Sequence, residues 1–115
     1  MTRGEVWWAD LEPRSGAEQR GRRPVVVVSH DAFNRTPGWR SVIVVPLSTS
    51  AAQARRGPTA VGFDGRAGGL TKKSVALCHQ VTTLDRAKLT ERAGALSSAE
   101  LNALEDGLRA ALDLV

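Results

Sequence analysis

Two short, uninterrupted runs of mostly β-branched residues constrain the fold of this chain most strongly. Residues 24–29 read PVVVVS, and residues 41–47 read SVIVVPL. Continuous apolar runs of this length, bounded by turn residues, predict strands that are buried on both faces. Pro24 stands at the start of its run, where a strand tolerates the missing N–H donor. The centre of the protein is therefore predicted to be a β-sheet that is covered on both sides.

Shorter patterns predict further strands, which are separated by polar loops. The additional strands are residues 4–11, 59–63, 74–81 and 91–96. The loops, which are polar and contain Gly and Arg, are residues 12–23, 30–40 and 48–57. A Gly-rich turn is expected at residues 65–69, and a short helical turn at residues 85–89.

The chain ends in a predicted amphipathic helix. Ser97 and Glu100 have the spacing of a capping box, which marks a helix start. Gly107 costs this helix about 1 kcal/mol relative to Ala, so packing is needed to hold it. The face expected to pack comprises Leu101, Leu104, Leu108, Ala111, Leu112 and Val115. The chain is therefore predicted to be a single domain over residues 1–115, mainly β with α (α+β), with five or six strands and one C-terminal helix.

Charge is distributed unevenly along the sequence. The formal net charge is +4, but residues 97–115 contain one base and four acids, a net −3 that leaves +7 for residues 1–96. A basic body suggests a polyanionic partner, although a solvated basic surface is the alternative. The single cysteine, Cys78, lies in an apolar run and indicates a reducing compartment. We find no signal peptide and no apolar run of membrane-spanning length, so a cytoplasmic protein without a membrane partner is expected.

The sequence lacks the motifs of metal and nucleotide sites. Neither of the two histidines, His30 and His79, has an acid or cysteine partner at a ligand spacing, and there is no GxxxxGK[ST] loop. We therefore expect no metal and no cofactor. RNA cleavage suits such a chain because the 2′-hydroxyl of RNA is itself the nucleophile. The protein needs to align that hydroxyl, stabilise charge on the phosphoryl oxygens, as an arginine fork can, and help move protons.

Three segments, in order along nearly the whole chain, resemble the MazF/PemK toxin family. Residues 3–34, RGEVWWADLEPRSGAEQRGRRPVVVVSHDAFN, contain the family's Gly-acid-hydrophobic-Trp strand and its G-[SA]-E-Q-x-G-x-R-P loop. Residues 42–50, VIVVPLSTS, resemble its strand that ends in a hydroxyl residue after V-P-x. Residues 72–89, KKSVALCHQVTTLDRAKL, are similar to its D-S-V-A-L-x-[DE]-Q-[IV]-x-T-[IL]-D motif. The chain departs from this last motif at Lys73 and His79, and both changes make it more basic.

This resemblance implies an SH3-like small β-barrel with a C-terminal helix, which forms a homodimer. It implies the toxin of a type II toxin–antitoxin system: a metal-independent endoribonuclease that cuts single-stranded RNA at short sequences and inhibits translation and growth. The expected products carry 2′,3′-cyclic phosphate and 5′-hydroxyl ends, and the expected protein partner is a MazE-like antitoxin.

The same resemblance places the catalytic residues. Arg23 matches the family's key arginine, and Ser48 matches its key threonine, with Thr49 as an alternative hydroxyl. Because an arginine pKa exceeds about 12, Arg23 is expected to act as a phosphate clamp rather than as a base. Glu18 is the candidate base or orienting group; alternatively it forms a salt bridge with Arg22 or Arg23.

Further residues are candidates for RNA contacts. The polar and basic candidates are Gln19, Arg20, Arg22, Ser74 and Gln80, and they could instead satisfy backbone groups. Trp39 lies in a Pro-Gly loop between Arg35 and Arg40, where it could stack on a base or anchor the loop. Trp7 and Trp8 alternate on a strand, so we expect one to face the core and the other the surface.

Two other functions remain open at this point. A non-enzymatic DNA gyrase poison of the CcdB type has the same fold, but it lacks the pairing of R-P with a strand-end hydroxyl that this chain has. A degenerate family member that binds RNA without cutting is the second alternative, because Ser48 replaces the usual threonine.

Overall fold

An antiparallel sheet is the centre of the computed structural model, which describes residues 1–11, 21–50, 52 and 57–115. Within those residues it has seven strands: β1 Glu5–Asp10, β2 Arg22–Val27, β3 Ser41–Ser48, β4 Ala60–Phe63, β5 Ser74–Leu77, β6 Thr82–Asp85 and β7 Leu89–Ala95. The helices are α1 Asp31–Asn34 and α2 Ser98–Leu112, and short 3₁₀ helices form at Ala67–Gly69, Cys78–Gln80 and Arg86–Lys88.

The two valine-rich runs lie at the middle of the sheet, as their composition predicts. The strand order is β4-β5-β3-β2-β1-β7, and β6 pairs with β3 beside β5. Val26 of β2 lies opposite Val6 of β1 on one side and Val45 of β3 on the other. The prediction of a mainly β fold with a C-terminal helix is confirmed, with seven strands among the described residues rather than five or six. Among the described residues, β4 and β7 are the strands at the two ends of this sheet order.

Alternate side chains of the central strands enter two separate cores, because successive residues of a strand point to opposite faces. The helix-side core contains Val26 of β2 together with Leu104 of α2. The opposite core contains Val25 and Val27 of β2. Burial on both faces therefore explains why residues 24–27 of β2 are continuously apolar.

The two tryptophans of β1 also divide between these cores. Trp8 packs against the helix-side core, and Trp7 packs against the opposite core, where its indole N–H donates to Glu5 Oε1 at 2.9 Å. Both side chains are half-buried. The expectation that one ring would face the core and the other the surface is confirmed only in part, because each ring packs against a core and each keeps some exposed surface.

Helix α2 begins as the sequence predicts. Ser97 Oγ accepts the N–H of Glu100, and the Glu100 carboxylate accepts the N–H of Ser97, which completes the capping box. Leu104 is fully buried against the sheet. The prediction is wrong for Leu112 and Val115, which are exposed. Leu112 lies about 80° around the helix from Leu104, outside the packed face, and Val115 follows the end of the helix.

Two predicted boundaries differ from the structure. Residues 74–81 are not one strand, because the 3₁₀ helix Cys78–Gln80 separates β5 from β6. This bend lets β5 pair with the end of β3 near Ser48, while β6 pairs with its beginning near Ser41. The predicted loop 30–40 contains α1, whose N-cap is His30: its Nδ1 accepts the N–H of Ala32.

A buried polar network attaches α1 to the sheet. Ser29 Oγ donates to Asn34 Oδ1 at 2.5 Å, and Asn34 Nδ2 donates to the Ser29 carbonyl at 2.8 Å. Asn34 is 2% exposed. These bonds hold the loop after β2 in one conformation. Within the described part of the chain, no helix has both the length and the apolar character needed to cross a bilayer.

Candidate functional site

A cleft of about 250 Å³ opens where β1 ends, β2 begins and β3 ends. These three ends meet because β2 is antiparallel to both of its neighbours. We call it the strand-end cleft. The described residues that line it are Trp8, Arg22, Arg23, Pro24, Leu47, Thr49, Leu70, Thr71 and Lys72.

The strand-end cleft combines apolar surface with positive charge. Leu47 and Leu70, which are buried in the helix-side core, form part of an apolar floor of the cleft. Arg22, Arg23 and Lys72 supply three cations, and no carboxylate lines the cleft among the residues that the structure describes. A concave basic surface of this kind attracts an anionic ligand and concentrates it near the strand ends.

Two contacts hold the Arg22 side chain at the edge of the cleft. Its Nη2 lies 2.9 Å from Glu91 Oε2 of β7, and its guanidinium carbon lies 4.5 Å from the centroid of the Trp8 ring. The ion pair is largely exposed and adds little to stability. Together with the cation–π contact, it fixes the direction in which Arg22 points.

Arg23 lies next to Arg22 at the start of β2. It is exposed, and its backbone lies opposite Ala9 of β1. Pro24 follows it and is buried, so the buried part of β2 begins immediately after Arg23. The structure thus brings the predicted clamp into the strand-end cleft with a second arginine beside it.

The two candidate hydroxyls lie in different environments at the end of β3. Ser48 is 8% exposed, and its Oγ accepts the N–H of Ser50 at 3.1 Å. Thr49 is exposed and lines the cleft. Ser48 therefore shapes the turn that leaves the strand, and Thr49 contributes to the wall of the cleft.

The other predicted site residues are dispersed. Glu18, Gln19 and Arg20 lie outside the described residues. Ser74 begins β5, is 2% exposed, and has no hydrogen-bond partner for its Oγ among the described residues. Gln80 is half-buried in the 3₁₀ helix Cys78–Gln80, and Trp39 lines a different groove.

Thr71 and Lys72 also line the cleft, where the connection between the 3₁₀ helix Ala67–Gly69 and β5 brings them, and neither was predicted as a site residue from the sequence. The neighbouring Lys73 is the position that departs from the family pattern. The pair of lysines after a Gly-rich turn is the signal that could have indicated Lys72. Which lysine reaches the cleft depends on the path of this connection, which no local pattern specifies.

Groups with a shifted pKa lie outside the strand-end cleft. Burial raises the pKa of the Cys78 thiol to about 11, so it stays protonated near neutral pH and is a poor nucleophile. Burial also raises the pKa of Glu5, but hydrogen bonds from Trp7 and Thr2 outweigh that effect and lower it. The described residues contain no group of three or more His, Cys, Asp or Glu side chains that could hold a metal ion.

Comparison with known proteins identifies the family to which this chain belongs. Residues 2–112 match the model of the PemK-like, MazF-like toxin of type II toxin–antitoxin systems. The chain belongs to this toxin family. It is 34% identical over 115 residues to Endoribonuclease EndoA of Bacillus subtilis (strain 168), an alignment that covers 100% of this chain and 97% of that protein. This MazF-like toxin is therefore an endoribonuclease, which decides against the gyrase-poison alternative.

Solved structures share the fold over nearly the full chain. One is an endoribonuclease in complex with its cognate antitoxin from a mycobacterial species, with a TM-score of 0.80 and 28% identity; it aligns over 100% of this toxin and 97% of that chain. Another is MazF of Deinococcus radiodurans, with a TM-score of 0.80 and 25% identity; it aligns over 99% of this toxin and 97% of that chain. The expected MazF-like fold is confirmed.

Proposed function

We propose that this toxin cuts single-stranded RNA at short sequences in the strand-end cleft, without a metal ion, by attack of the 2′-hydroxyl on the adjacent phosphorus. The products would carry 2′,3′-cyclic phosphate and 5′-hydroxyl ends. The observation that carries the proposal is the cleft itself, which joins Arg23 to two further cations and to the hydroxyl of Thr49. This arrangement suits a reaction whose nucleophile comes from the substrate.

Arg23 is proposed to bind the scissile phosphate. Its planar guanidinium can donate to two phosphoryl oxygens at once, and these oxygens gain charge as the 2′-oxygen attacks. Arg22 and Lys72 lie in the same cleft and would bind neighbouring phosphates. The apolar floor beneath them, which includes Trp8, suits the face of a nucleobase.

One hydroxyl of the pair Ser48 and Thr49 is proposed to donate to a phosphoryl oxygen. Ser48 occupies the position that the family resemblance indicates, and accepting the N–H of Ser50 leaves its own proton able to donate. Thr49 has the more open position in the cleft wall. Glu18 is the proposed base or orienting group for the 2′-hydroxyl.

In the cell, the toxin is proposed to cut RNA, inhibit translation and growth, and be neutralised by a MazE-like antitoxin. The basic cleft supports this, because an acidic antitoxin segment lying across it would neutralise its charge and block RNA. Solved relatives include an endoribonuclease in complex with its cognate antitoxin. A homodimer is proposed, as the family resemblance indicates.

The test is incubation of the purified toxin with a long, mixed-sequence single-stranded RNA in EDTA, followed by mapping of the cut ends. Discrete cuts with 5′-hydroxyl ends are expected, and Arg23→Ala should abolish them without lowering the thermal midpoint. Activity lost in EDTA and restored by Mg²⁺ would refute the metal-free mechanism. Full activity of Arg23→Ala would refute the site, and a folded toxin that binds RNA without cutting would indicate the degenerate alternative.

Separate Ser48→Ala and Thr49→Ala variants assign the hydroxyl. The variant that loses the donor to the phosphoryl oxygen should be slower by about 10² to 10³-fold in kcat, the range for loss of one such donor. The other variant should keep most of its activity. Equal, near wild-type rates for both variants would show that neither hydroxyl acts on the phosphate.

A further inference from the structure

A second groove lies at the opposite end of β3 from the strand-end cleft. Its volume is about 690 Å³, and Arg35, Pro37, Trp39, Arg40, Asp85 and Arg86 are among its lining residues. We call it the Trp39 groove. Since β3 has eight residues, Ser41–Ser48, the length of the strand separates the two sites by about 23 Å. Trp39 therefore cannot contact the nucleotide whose phosphate is bound by Arg23 of the same chain.

Trp39 lines this groove, and its ring packs against a second exposed aromatic ring, Phe33. Trp39 is 45% exposed and Phe33 is 47% exposed. Their ring centroids are 5.2 Å apart, and their planes are inclined by 33°. Phe33 thus supports the indole from one side. Aromatic side chains presented in this way are the stacking surfaces that proteins use for the bases of single-stranded nucleic acids.

Arg86 holds the loop that carries Trp39 in place. Its Nε donates to the Trp39 carbonyl at 3.0 Å, and its Nη1 donates to the Asn34 carbonyl at 2.9 Å. One guanidinium thus ties together both ends of the segment between α1 and β3. A loop that is already fixed loses little conformational freedom when a ligand binds, so the exposed indole is positioned in advance.

The charge around the groove favours an anionic occupant. Three arginines and one carboxylate, Asp85, line it among the described residues, and a second carboxylate, Asp31, lies 3.8 Å from Arg35 Nη2. Arg40 donates from Nε and Nη2 to Asp85 Oδ2, which leaves other N–H groups of its five-donor fork for a ligand. The Arg40 side chain is 76% exposed and that of Arg35 is 65% exposed. The excess of positive charge favours a phosphate chain, and it would make two copies of this groove repel each other.

We propose that the Trp39 groove is an accessory site for single-stranded RNA, distinct from the cleavage site. A base of the RNA that flanks the cut stacks on Trp39, and Arg35 and Arg40 bind the adjoining phosphates. This inference rests on the proposed function in that RNA is the ligand of the strand-end cleft. Its consequence is that long RNA binds more tightly than RNA too short to reach both sites.

The test measures binding without cleavage. Fluorescence anisotropy reports the Kd of labelled, fully 2′-O-methylated, mixed-sequence RNAs of about 30 and about 3 nucleotides, lengths chosen to span both sites or only one. For the long RNA, Trp39→Ala should raise the Kd at least about fivefold, while Trp39→Phe keeps most of the affinity. Both variants should bind the short RNA like the wild type. Arg40→Gln should lower the slope of log Kd against log salt by about 0.7.

Other outcomes would overturn the inference. Wild-type affinity of Trp39→Ala for both RNAs, or an equal loss of affinity for both, excludes a separate site. Conversion of a dimer to a monomer by Trp39→Ala, seen by sedimentation at the assay concentration, would assign the groove to a second copy of the chain. Because the 2′-O-methylated RNA is not cut, a toxin that fails to cleave would refute the proposed function while this binding test still stands.

Discussion

Gly107 lies inside α2 where the helix meets β4 and the 3₁₀ helix Cys78–Gln80, and we predict that Gly107→Ala destabilises the protein. Helix propensity alone predicts the reverse, because Ala is about 1 kcal/mol more favourable than Gly inside a helix. Packing opposes this gain. A Cβ at position 107 would lie 2.5 Å from Val61 Cγ2 and 2.7 Å from Cys78 Sγ.

The magnitude follows from the sizes of these two effects. Carbon atoms in contact are ordinarily about 3.5–4.0 Å apart, so the new methyl group would be about 1 Å too close to two neighbours. Val61 is stiff at χ1, and Cys78 is fully buried, so neither can move away freely. Overpacking of this kind costs about 1–3 kcal/mol. After subtraction of the propensity gain, we expect a net loss of about 1 kcal/mol and a Tm lower by about 4 °C.

The assay is urea and thermal unfolding, followed by circular dichroism at one fixed protein concentration, because dimerisation would make the midpoint concentration-dependent. Ala110→Gly is the matched control: it lies on the exposed side of the same helix and measures the propensity effect alone. Cys78→Ala combined with Gly107→Ala should lose less than the two single changes added together, because the sulfur is removed from the overlap. A Gly107→Ala variant more stable than the wild type would refute the packing argument.

Three further predictions concern stability. Ser97→Ala should lower the free energy of unfolding by about 1 kcal/mol in urea denaturation, because the capping box is lost. Asn34→Ala should cost about 2–3 kcal/mol in the same assay, since it leaves the buried Ser29 hydroxyl and carbonyl without their partner; an unchanged midpoint would count against a structural network. Hydrogen bonds from the Ala87 N–H and Arg40 lower the pKa of Asp85 in the folded state. The ionised Asp85 carboxylate therefore stabilises the fold fully above the ordinary Asp pKa of about 3.9, and this stabilisation is lost as the pH falls through the lowered folded-state pKa. Asp85→Asn should therefore flatten the acid side of a plot of Tm against pH, and an unaltered acid side would contradict this.

Features that depend on neighbouring residues in the chain could be predicted from the sequence. The capping box at Ser97 forms as its spacing indicates, and the short helical turn before β7 forms as the 3₁₀ helix Arg86–Lys88. The valine run of residues 24–29 predicts a doubly buried strand, and β2 lies between β1 and β3 with one core on each face. These signals are local: each is contained in a few consecutive side chains.

Family resemblance identified candidate site residues, but it did not show which of them share a cleft. Arg22, Arg23 and Thr49 meet because antiparallel pairing brings the start of β2 beside the end of β3. Lys72 joins them through the connection that precedes β5. Trp39, predicted with them as an RNA contact, lies at the other end of β3 because the chain enters that strand at Ser41 and leaves it at Ser48.

Gly107 shows the same division between local and long-range causes. Its sequence context indicates a weak point in a helix, whereas the structure makes it the place where α2 approaches Cys78 and Val61. The break between β5 and β6 likewise could not be predicted from residues 74–81, because it accompanies the pairing of the two strands with opposite ends of β3. Hydrophobic pattern and capping chemistry act within a few residues, so the sequence predicts the central strands and the last helix. Register, close packing and the grouping of strand ends join residues that are distant in sequence, and they are established only when the sheet assembles.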